Sequence, residues 1–184
     1  MKRPIVGVMG SGSSSHLERC EPLGRWLATC GCHLLTGGGG GVMTAVSRAF
    51  SETAGRQGLV LGILPSNAEE KGRPPAGYPN SWVEVAIQTH LPLSGAEGTS
   101  EASRNHINVL TSDVLVFLPG STGTYSELVL AVRHQRPTVL WAEETDEAEP
   151  DLPEGAETAA ITIAHSLGEV QRFVHFHLPA ALGD

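Results

Sequence analysis

The segment LLTGGGGGVM, residues 34–43, sets five consecutive glycines between a short apolar run and a segment whose apolar residues recur with helical period. Glycine has no Cβ and adopts positive φ without steric cost, so a glycine run lets the backbone turn tightly and approach a neighbouring group. A strand that passes into a helix through such a loop is the repeating unit of parallel α/β sheets. Residues 34–43 therefore predict a strand, a loop and a helix in this order.

The same alternation extends along the whole chain. Apolar runs rich in branched residues predict strands at 5–9, 33–36, 59–64, 83–87, 113–118, 138–141 and 160–163. Helical periodicity predicts helices at 15–29, 42–53, 100–110, 124–134 and 167–177. The strand pattern is apolar throughout in VLVFL, residues 114–118, as is typical of a strand covered on both faces. We therefore predict one α/β domain over residues 1–184: a Rossmann-like, doubly wound, mainly parallel sheet of about seven strands with helices on both faces.

The composition is that of a globular protein and disfavours several classes of function. Hydrophobic residues make up 40% of the 184 residues and charged residues 17%. No apolar run reaches the ~18 residues of a membrane span, and the N-terminus lacks the apolar region of a secretory signal. We therefore expect a cytoplasmic protein that does not associate with membranes.

The charge distribution argues against nucleic acid as a partner. The net charge is −8 and no basic patch is present, whereas sequence-independent nucleic-acid binding depends on neutralising phosphates. Eight of the acidic residues fall between residues 143 and 157 and predict a solvated surface loop. The Pro-, Gly- and Asn-rich segment 65–81 and this acidic loop give the weakest secondary-structure patterns in the chain.

Residues that hold metals or act as nucleophiles are poorly placed for those roles. Cys20, Cys30 and Cys32 lack the second ligand pair of a structural zinc site and are predicted to be free thiols. The eight histidines are scattered, so we expect no metal site. The G-x-S-x-G elbow of serine hydrolases is absent from the sequence.

Three glycine-rich loops each follow a predicted strand and precede a predicted helix, at 9–15, 36–41 and 119–124. Ligands of open α/β sheets bind beyond the carboxyl ends of the strands, and free backbone N–H groups at a helix N-terminus attract anions. The three loops together therefore predict a site for a phosphate-bearing ligand. The candidate contacts are Gly10, Ser11, Gly38, Gly39, Gly40, Gly41, Met43, Gly120, Ser121, Thr122, Gly123 and Thr124.

The loops do not match the common nucleotide-binding motifs. Ser15 stands where the dinucleotide fingerprint has Gly or Ala, and the second strand ends in Thr36 and Gly37 instead of an acid that would hold the ribose hydroxyls. The P-loop motif is absent from the sequence. These features disfavour classical NAD binding and exclude a P-loop.

Two predicted helix starts fit the capping box S/T-x-x-E, in which a hydroxyl and a carboxylate satisfy free backbone N–H groups. The pairs are Ser15 with Glu18 and Thr124 with Glu127. Glu127 thus has a structural interpretation beside a functional one. Arg104 has one too, because it can pair with the acid three positions earlier on its own helix. We favour a ligand role for both residues.

Two motifs carry a resemblance to a known family. TGGGGGVM (36–43) resembles the G-G-G-x-x-G-[LV]-M loop of the LOG-like Rossmann proteins, and PGSTGTYSE (119–127) resembles their P-G-G-x-G-T-x-x-E. Arg104, nine residues before Asp113, matches the family's arginine on the helix that precedes this strand. The likeness extends from Ile5 to about Trp141. This group was once labelled possible lysine decarboxylases, and it also includes the molybdenum-cofactor carrier proteins.

The resemblance implies two alternative activities. The LOG branch consists of phosphoribohydrolases, which cleave the N-glycosidic bond of AMP-like nucleotides, and it implies Arg104 and Glu127 as a catalytic pair. A carboxylate can stabilise the positive charge that develops on the ribose, and an arginine suits a phosphate.

A decarboxylase that uses pyridoxal phosphate needs an activated lysine, and the only lysines are Lys2 and Lys71. We therefore reject the decarboxylase label.

Two departures from the enzyme branch favour the carrier branch. Asn105 stands where the enzymes have a lysine, and Ser121 stands at the second glycine of P-G-G. Molybdenum-cofactor carrier proteins are similar in these features and in length, and they bind an anionic pterin or a nucleotide without necessarily turning it over. We expect a nucleotide or a molybdenum-cofactor-like pterin to bind, with Asn105 as a further contact. Phosphoribohydrolase activity is the alternative.

The resemblance also implies a homo-oligomer. The family commonly forms homodimers in which helices pack across a two-fold axis. The predicted helices 100–110 and 124–134, the latter with Leu128, Val129 and Val132, are the candidates for this contact.

Overall fold

In a computed structural model, which describes residues 3–70, 72–142, 151–159 and 161–178, the chain forms a seven-stranded sheet with five α-helices. The strands are β1 (Ile5–Met9), β2 (His33–Thr36), β3 (Val60–Leu64), β4 (Val85–Gln88), β5 (Val114–Phe117), β6 (Thr138–Trp141) and β7 (Ile161–Ala164). The helices are α1 (Leu17–Thr29), α2 (Val42–Ser51), α3 (Asn105–Thr111), α4 (Thr122–Arg133) and α5 (Leu167–His177). All neighbouring strands pair in parallel. The predicted Rossmann-like α/β fold is confirmed.

The strand order determines where a ligand can bind. The sheet runs β4-β3-β2-β1-β5-β6-β7. The chain starts at the centre with β1, builds outward to one edge, returns beside β1 with β5 and builds outward to the other edge. The direction reverses between β1 and β5, and the carboxyl ends of strands at such a switch point flank a crevice.

Both faces of the sheet are covered, as the continuously apolar strands predict. On one face, side chains of β1, β2 and β5 pack with α1, α2 and α5; Phe50, Leu23 and Leu34 are fully buried there. On the other face, Leu35 and Leu115 pack with α3 and α4. The neighbours Leu34 and Leu35 thus enter opposite cores, because successive side chains of a strand point to opposite faces.

Helix starts differ from the sequence-based expectation. Helix α1 begins at Leu17 after His16, and α4 begins at Thr122 after Ser121; neither start has a side-chain cap hydrogen bond. The two predicted capping boxes are therefore wrong. The reason in α4 is that Thr124 is already the third helical residue and packs against Gly120, where an added Cβ would lie 2.0 Å from the Thr124 hydroxyl.

Helix α3 is shorter than the predicted helix 100–110. It begins at Asn105, and Arg104 is its N-cap residue. The preceding residues are held differently, because Ser103 forms a parallel bridge with Leu93 and the Leu93 amide donates to the Ala102 carbonyl at 3.3 Å. As a consequence, Arg104 lies at the start of the helix and not inside it.

The cysteines are free thiols; Cys20 and Cys32 are buried in the core, and Cys30 is half-buried against it. Burial raises the pKa of Cys20 and of Cys32 to about 12, and that of Cys30 to about 11. Within the described ranges, no three His, Cys, Asp or Glu residues group in a way that could hold a metal ion. No helix in the described part of the chain is long and apolar enough to cross a membrane.

Some predicted features lie outside the described residues. Lys2, Lys71 and residues 143–150 of the acidic loop are among them. The rest of the acidic loop includes Asp151 and Glu154, which are exposed.

The helices predicted to form a dimer contact expose few apolar side chains. Leu128 is only 4% exposed and packs in the core, so it is wrong as a contact residue. The apolar residues exposed there are Leu110 of α3 and Tyr125 of α4. A homodimer stays a prediction.

The position of Leu115 in the core predicts that its replacement lowers the free energy of unfolding more than replacement of an exposed leucine does. Leu115→Ala should lower the free energy of unfolding by about 2–5 kcal/mol, because it leaves a cavity between β5 and the helices that cover it. Leu110→Ala is the matched control, since Leu110 is 50% exposed, and it should cost less than about 1 kcal/mol. Urea denaturation of both variants measures the two values. Equal losses would contradict the assignment of Leu115 to a packed core.

Candidate functional site

A cavity of about 250 Å³ lies at the switch point between β1 and β5. Its walls come from all three glycine-rich loops, from the start of α3 and from two segments around residues 78 and 94–95. Of the candidate residues from the sequence, it is lined by Gly10, Met43, Arg104, Asn105, Ser121, Thr122, Gly123 and Glu127. The other candidates lie outside this lining: Ser11, Gly38, Gly39, Gly40, Gly41, Gly120 and Thr124.

The N-terminus of α4 opens into the cavity without a cap. Ser121 and Thr122 are exposed, and the Ser121 side chain makes no cap hydrogen bond. The backbone N–H groups of Thr122, Gly123 and Thr124 have no acceptor among the residues that the structure describes. The first N–H groups of a helix carry a partial positive charge. This end of α4 can therefore accept an anion.

Arg104 contributes a buried positive charge beside this helix end. The residue is 6% exposed, and its Nε and one terminal nitrogen, Nη1, are buried without a hydrogen-bond partner in the described ranges. Its nearest acidic atom is Glu127 Oε1, which lies 3.8 Å from Nη1 and is thus too far for a good hydrogen bond. A guanidinium that has lost its water and gained no full partner is suited to binding an anionic ligand.

Glu127 supplies a carboxyl group in the same cavity. It is 8% exposed, and Asn108 Nδ2 donates to its Oε1 at 2.7 Å. Burial raises the pKa of Glu127, while the Arg104 charge and the Asn108 hydrogen bond act in the opposite direction and offset only part of this effect. The carboxyl group thus takes up a proton more readily than an exposed glutamate does.

Asn105 connects α3 to the first turn of α4. The residue is 3% exposed; its Nδ2 donates to the Ser126 hydroxyl at 3.0 Å, and this hydroxyl donates to the Gly123 carbonyl at 2.8 Å. The relay fixes the turn that carries the free N–H groups. Asn105 therefore lines the cavity and supports its wall at the same time.

The first glycine-rich loop satisfies two of its own backbone N–H groups. The Ser11 hydroxyl accepts hydrogen bonds from the backbone N–H groups of Ser13 and Ser14, at 3.2 and 2.9 Å. These donors are therefore already used. The Ser11 backbone also joins the loops, because its N–H donates to the Pro119 carbonyl at 3.0 Å and its carbonyl accepts from Val42 N–H at 2.9 Å.

The glycine run makes room mainly for other parts of the protein. An added Cβ would lie 2.3 Å from the Ser11 carbonyl at Gly41, which has a φ of +57°, and 2.9 Å from the Gly12 carbonyl at Gly40. At Gly39 it would lie 2.8 Å from the Tyr78 ring. Gly38 would likewise place a Cβ 2.5 Å from the Leu64 side chain, so Gly38 to Gly41 pack against other parts of the protein, and none of them lines the cavity.

Gly37 is the member of the run that reaches the cavity. A Cβ at Gly37 would lie 2.4 Å from a terminal nitrogen of Arg104. The lack of a side chain here gives the guanidinium its space beside the anion-accepting end of α4. Gly37 is therefore required by the position of Arg104.

Tyr78 is a cavity residue that the sequence did not reveal. It lies in the segment 65–81, which has no periodic pattern. Asn80 fastens this segment to the glycine run, since its N–H donates to the Gly38 carbonyl at 2.8 Å and its Nδ2 donates to the Gly39 carbonyl at 2.9 Å. Tyr78 thus forms an aromatic wall of the cavity.

Three further residues of the site lie in or close to the motifs. Gly12 and Gly37 belong to the glycine-rich loops, and Asn108 follows Arg104 by four residues, which is one helical turn. This spacing was the available signal for Asn108. The other unpredicted lining residues are Val8, Met9, Ser94 and Gly95.

Comparisons with known proteins agree with this architecture. The model of the SLOG cluster4 family matches residues 3–170. Among solved structures, the molybdenum cofactor binding protein of the phototrophic bacterium Rippkaea orientalis superposes with a TM-score of 0.72 at 30% identity, over 96% of this chain and 98% of that one. The Moco carrier protein of Chlamydomonas reinhardtii gives 0.65 at 26% identity, over 95% and 99%.

An uncharacterized protein of Archaeoglobus fulgidus is 29% identical over 135 residues, which is 72% of this chain and 76% of the relative. The expected similarity to LOG-like proteins and to the molybdenum-cofactor carrier branch is confirmed by these matches.

The raised pKa of Glu127 makes stability depend on pH. Since that pKa lies above the ordinary 4.5, the folded protein keeps a proton that the unfolded chain releases, and stability falls as the pH rises from 4.5 through the folded pKa. Glu127→Gln has no such proton. The wild-type free energy of unfolding minus that of the variant should therefore fall by up to about 1.4 kcal/mol per pH unit in this window. Urea denaturation between pH ~4 and ~8 measures it. A difference that grows with pH would mean that the Arg104 charge outweighs burial.

Proposed function

The chain belongs to the SLOG cluster4 family, and on this premise we propose that it binds a phosphorylated small molecule, a molybdenum-cofactor-type pterin or a nucleotide, as a carrier or sensor. The ligand's phosphate group would occupy the cavity between β1 and β5. The relatives from Rippkaea orientalis and Chlamydomonas reinhardtii support this proposal, since they are a molybdenum cofactor binding protein and a Moco carrier protein.

The observation that carries the proposal is the pairing of two unsatisfied donors. The uncapped N-terminus of α4 and the buried guanidinium of Arg104 line the same cavity. A bound phosphate accepts several hydrogen bonds at once, and its negative charge complements the positive charge of both groups. Thr122 and Gly123 N–H groups with Arg104 are therefore the proposed phosphate contacts.

The cavity also suits the remainder of such a ligand. Its volume of about 250 Å³ is just below the usual range for small-molecule sites, so it would enclose the phosphate end and leave part of the ligand at the rim. Tyr78 and Met43 provide an aromatic and an apolar surface for a planar heterocycle. The residues present thus fit a phosphorylated pterin or nucleotide as cargo.

Phosphoribohydrolase activity is a second candidate, favoured by the position of Glu127. Its carboxyl group lines the cavity beside Arg104, within reach of a ligand whose phosphate lies at α4. Cleavage of the N-glycosidic bond builds positive charge on the ribose and needs a water molecule. A carboxylate in this position would stabilise the charge and orient the water. Glu127 would then be catalytic.

The deciding experiment follows both release of base and binding. The purified protein is incubated with AMP and other nucleoside monophosphates, and free base is measured by chromatography; the thermal shift on adding each nucleotide or a phosphorylated pterin is measured in parallel. For a carrier we expect a thermal shift without base release. Arg104→Ala should abolish the shift, whereas Arg133→Ala, which removes an equal charge at the far, exposed end of α4, should keep it.

Each other result has a clear meaning. Base released by the wild type, but not by Glu127→Gln, would identify a phosphoribohydrolase. Neither release nor shift with any of these compounds would refute phosphate binding and leave the three loops as structural turns.

The role of Gly37 gives an independent prediction. Gly37→Ala should displace the Arg104 guanidinium and weaken AMP binding by about as much as Arg104→Ala does, because the new Cβ would overlap the guanidinium. The matched control is Gly168→Ala in α5, where the nearest atom would lie at 3.7 Å. Isothermal titration calorimetry measures both affinities. An unchanged affinity in Gly37→Ala would show that the guanidinium position does not matter for binding.

A further inference from the structure

Asn108 has an unusual environment for a residue that only fills space. It is fully buried in α3, one turn after Arg104. Its Nδ2 donates to Glu127 Oε1 at 2.7 Å, but its Oδ1 is buried with no hydrogen-bond partner in the described part of the chain. A leucine of similar size would avoid this unpaired oxygen. The donor end of the amide is therefore the feature that needs explaining.

The contacts of Glu127 are concentrated on one of its two oxygens. Oε1 accepts from Asn108 and faces the guanidinium of Arg104 at 3.8 Å. Oε2 makes neither a hydrogen bond nor an ion pair with any described residue, although Glu127 lines the cavity. The carboxyl group is thus oriented by one oxygen and leaves the other for a ligand.

We propose that Asn108 is a positioning residue: it holds Glu127 by Oε1 so that Oε2 faces the cavity and accepts a hydrogen bond from an N–H or O–H group of the ligand. This inference rests on the proposed function, and it narrows the ligand class. The ligand carries a hydrogen-bond donor near its phosphate, such as a sugar hydroxyl or a ring N–H. Inorganic phosphate would use only the α4 and Arg104 part of the site.

A neutral donor serves this purpose better than a second cation. The Asn108 amide favours the ionised carboxyl group, because it donates to the charged form, yet it leaves the negative charge available to the ligand. The charged and titratable groups on the surrounding elements are few: Arg104 faces Glu127, Tyr78 lines the same cavity, and His106 of α3 contacts the Thr99 carbonyl instead. Cavity residues from β1, Val8 and Met9, are uncharged.

The first test uses the ligand-free protein. The Glu127 side-chain carboxyl carbon is followed by ¹³C NMR during a pH titration, and its signal is assigned by its absence in Glu127→Gln. Asn108→Leu should raise the Glu127 pKa. Thr138→Val, which removes the 2.8 Å side-chain hydrogen bond of the buried Thr138 on β6, is the control for general destabilisation and should leave that pKa unchanged. An unchanged Glu127 pKa in Asn108→Leu would overturn the proposal.

The wild-type protein offers a measurement that does not depend on the variant folding. The Asn108 side-chain amide protons should shift with pH at the same midpoint as the Glu127 carboxyl group, and they should lose this titration in Glu127→Gln. If the chemical shifts of these amide protons do not change at the Glu127 midpoint, the proposal is overturned, even if Asn108→Leu does not fold.

The second test compares two probes, AMP and inorganic phosphate, over a range of pH. Asn108→Leu should weaken AMP binding by roughly tenfold, the size expected for losing one hydrogen bond to a charged group. Because the variant raises the Glu127 pKa, its loss of AMP affinity should extend to a higher pH. Its affinity for inorganic phosphate should equal that of the wild type. Equal losses for both probes would overturn the ligand-donor part of the proposal.

The two tests separate this proposal from the proposed function. If the wild type binds neither these probes nor a phosphorylated pterin, the proposed function fails, while the ligand-free titration still decides whether Asn108 orients Glu127.

Discussion

The site depends on the close approach of three loops, which the backbone of Ser11 holds together. Its N–H donates to the loop after β5 and its carbonyl accepts from the first residue of α2. This approach leaves no room for side chains at Gly40 and Gly41, where a Cβ would overlap the loop after β1. The glycine run is thus a consequence of loop packing at the centre of the sheet. The cavity is the space that remains between the loops.

Burial then determines the electrostatics of this cavity. Arg104, Asn108 and Glu127 lie behind the N-terminus of α4, where water is largely excluded. A charge in such a place interacts strongly with its neighbours, because the surrounding medium screens it weakly. Arg104 without a full partner favours an anion, and burial raises the pKa of Glu127 above that of an exposed glutamate. The same arrangement would suit either of the two proposed roles, a carrier that holds a phosphorylated cargo or an enzyme that acts on it.

Most of the fold was predictable from the sequence because it depends on local pattern. The strand bounds of β1, β2 and β6 match the prediction, since these strands coincide with short, mainly buried runs of the sequence. The start of α3 was not predictable, because the residues before Asn105 are held by a bridge to Leu93. Leu93 lies outside the predicted helix, and helical periodicity carries no information about such a contact. The capping boxes failed for a similar reason. Thr124 and Glu127 have the right spacing, but tertiary contacts with Gly120 and Asn108 engage both side chains.

The sequence by itself determined the parallel α/β fold and the three loops at one edge, because glycine runs and strand patterns are local properties of the chain, and its resemblance to LOG-like proteins indicated Arg104 and Glu127 as candidate site residues. Only the tertiary structure decided which of these residues meet. It brought Tyr78 from a segment without pattern to the cavity wall, and it assigned four of the five consecutive glycines to packing, not to the cavity lining. It also joined Asn108 to Glu127 across two helices. The physical reason is that hydrogen bonds and steric exclusion act between residues that are distant in sequence, and their partners are defined only when the sheet has formed.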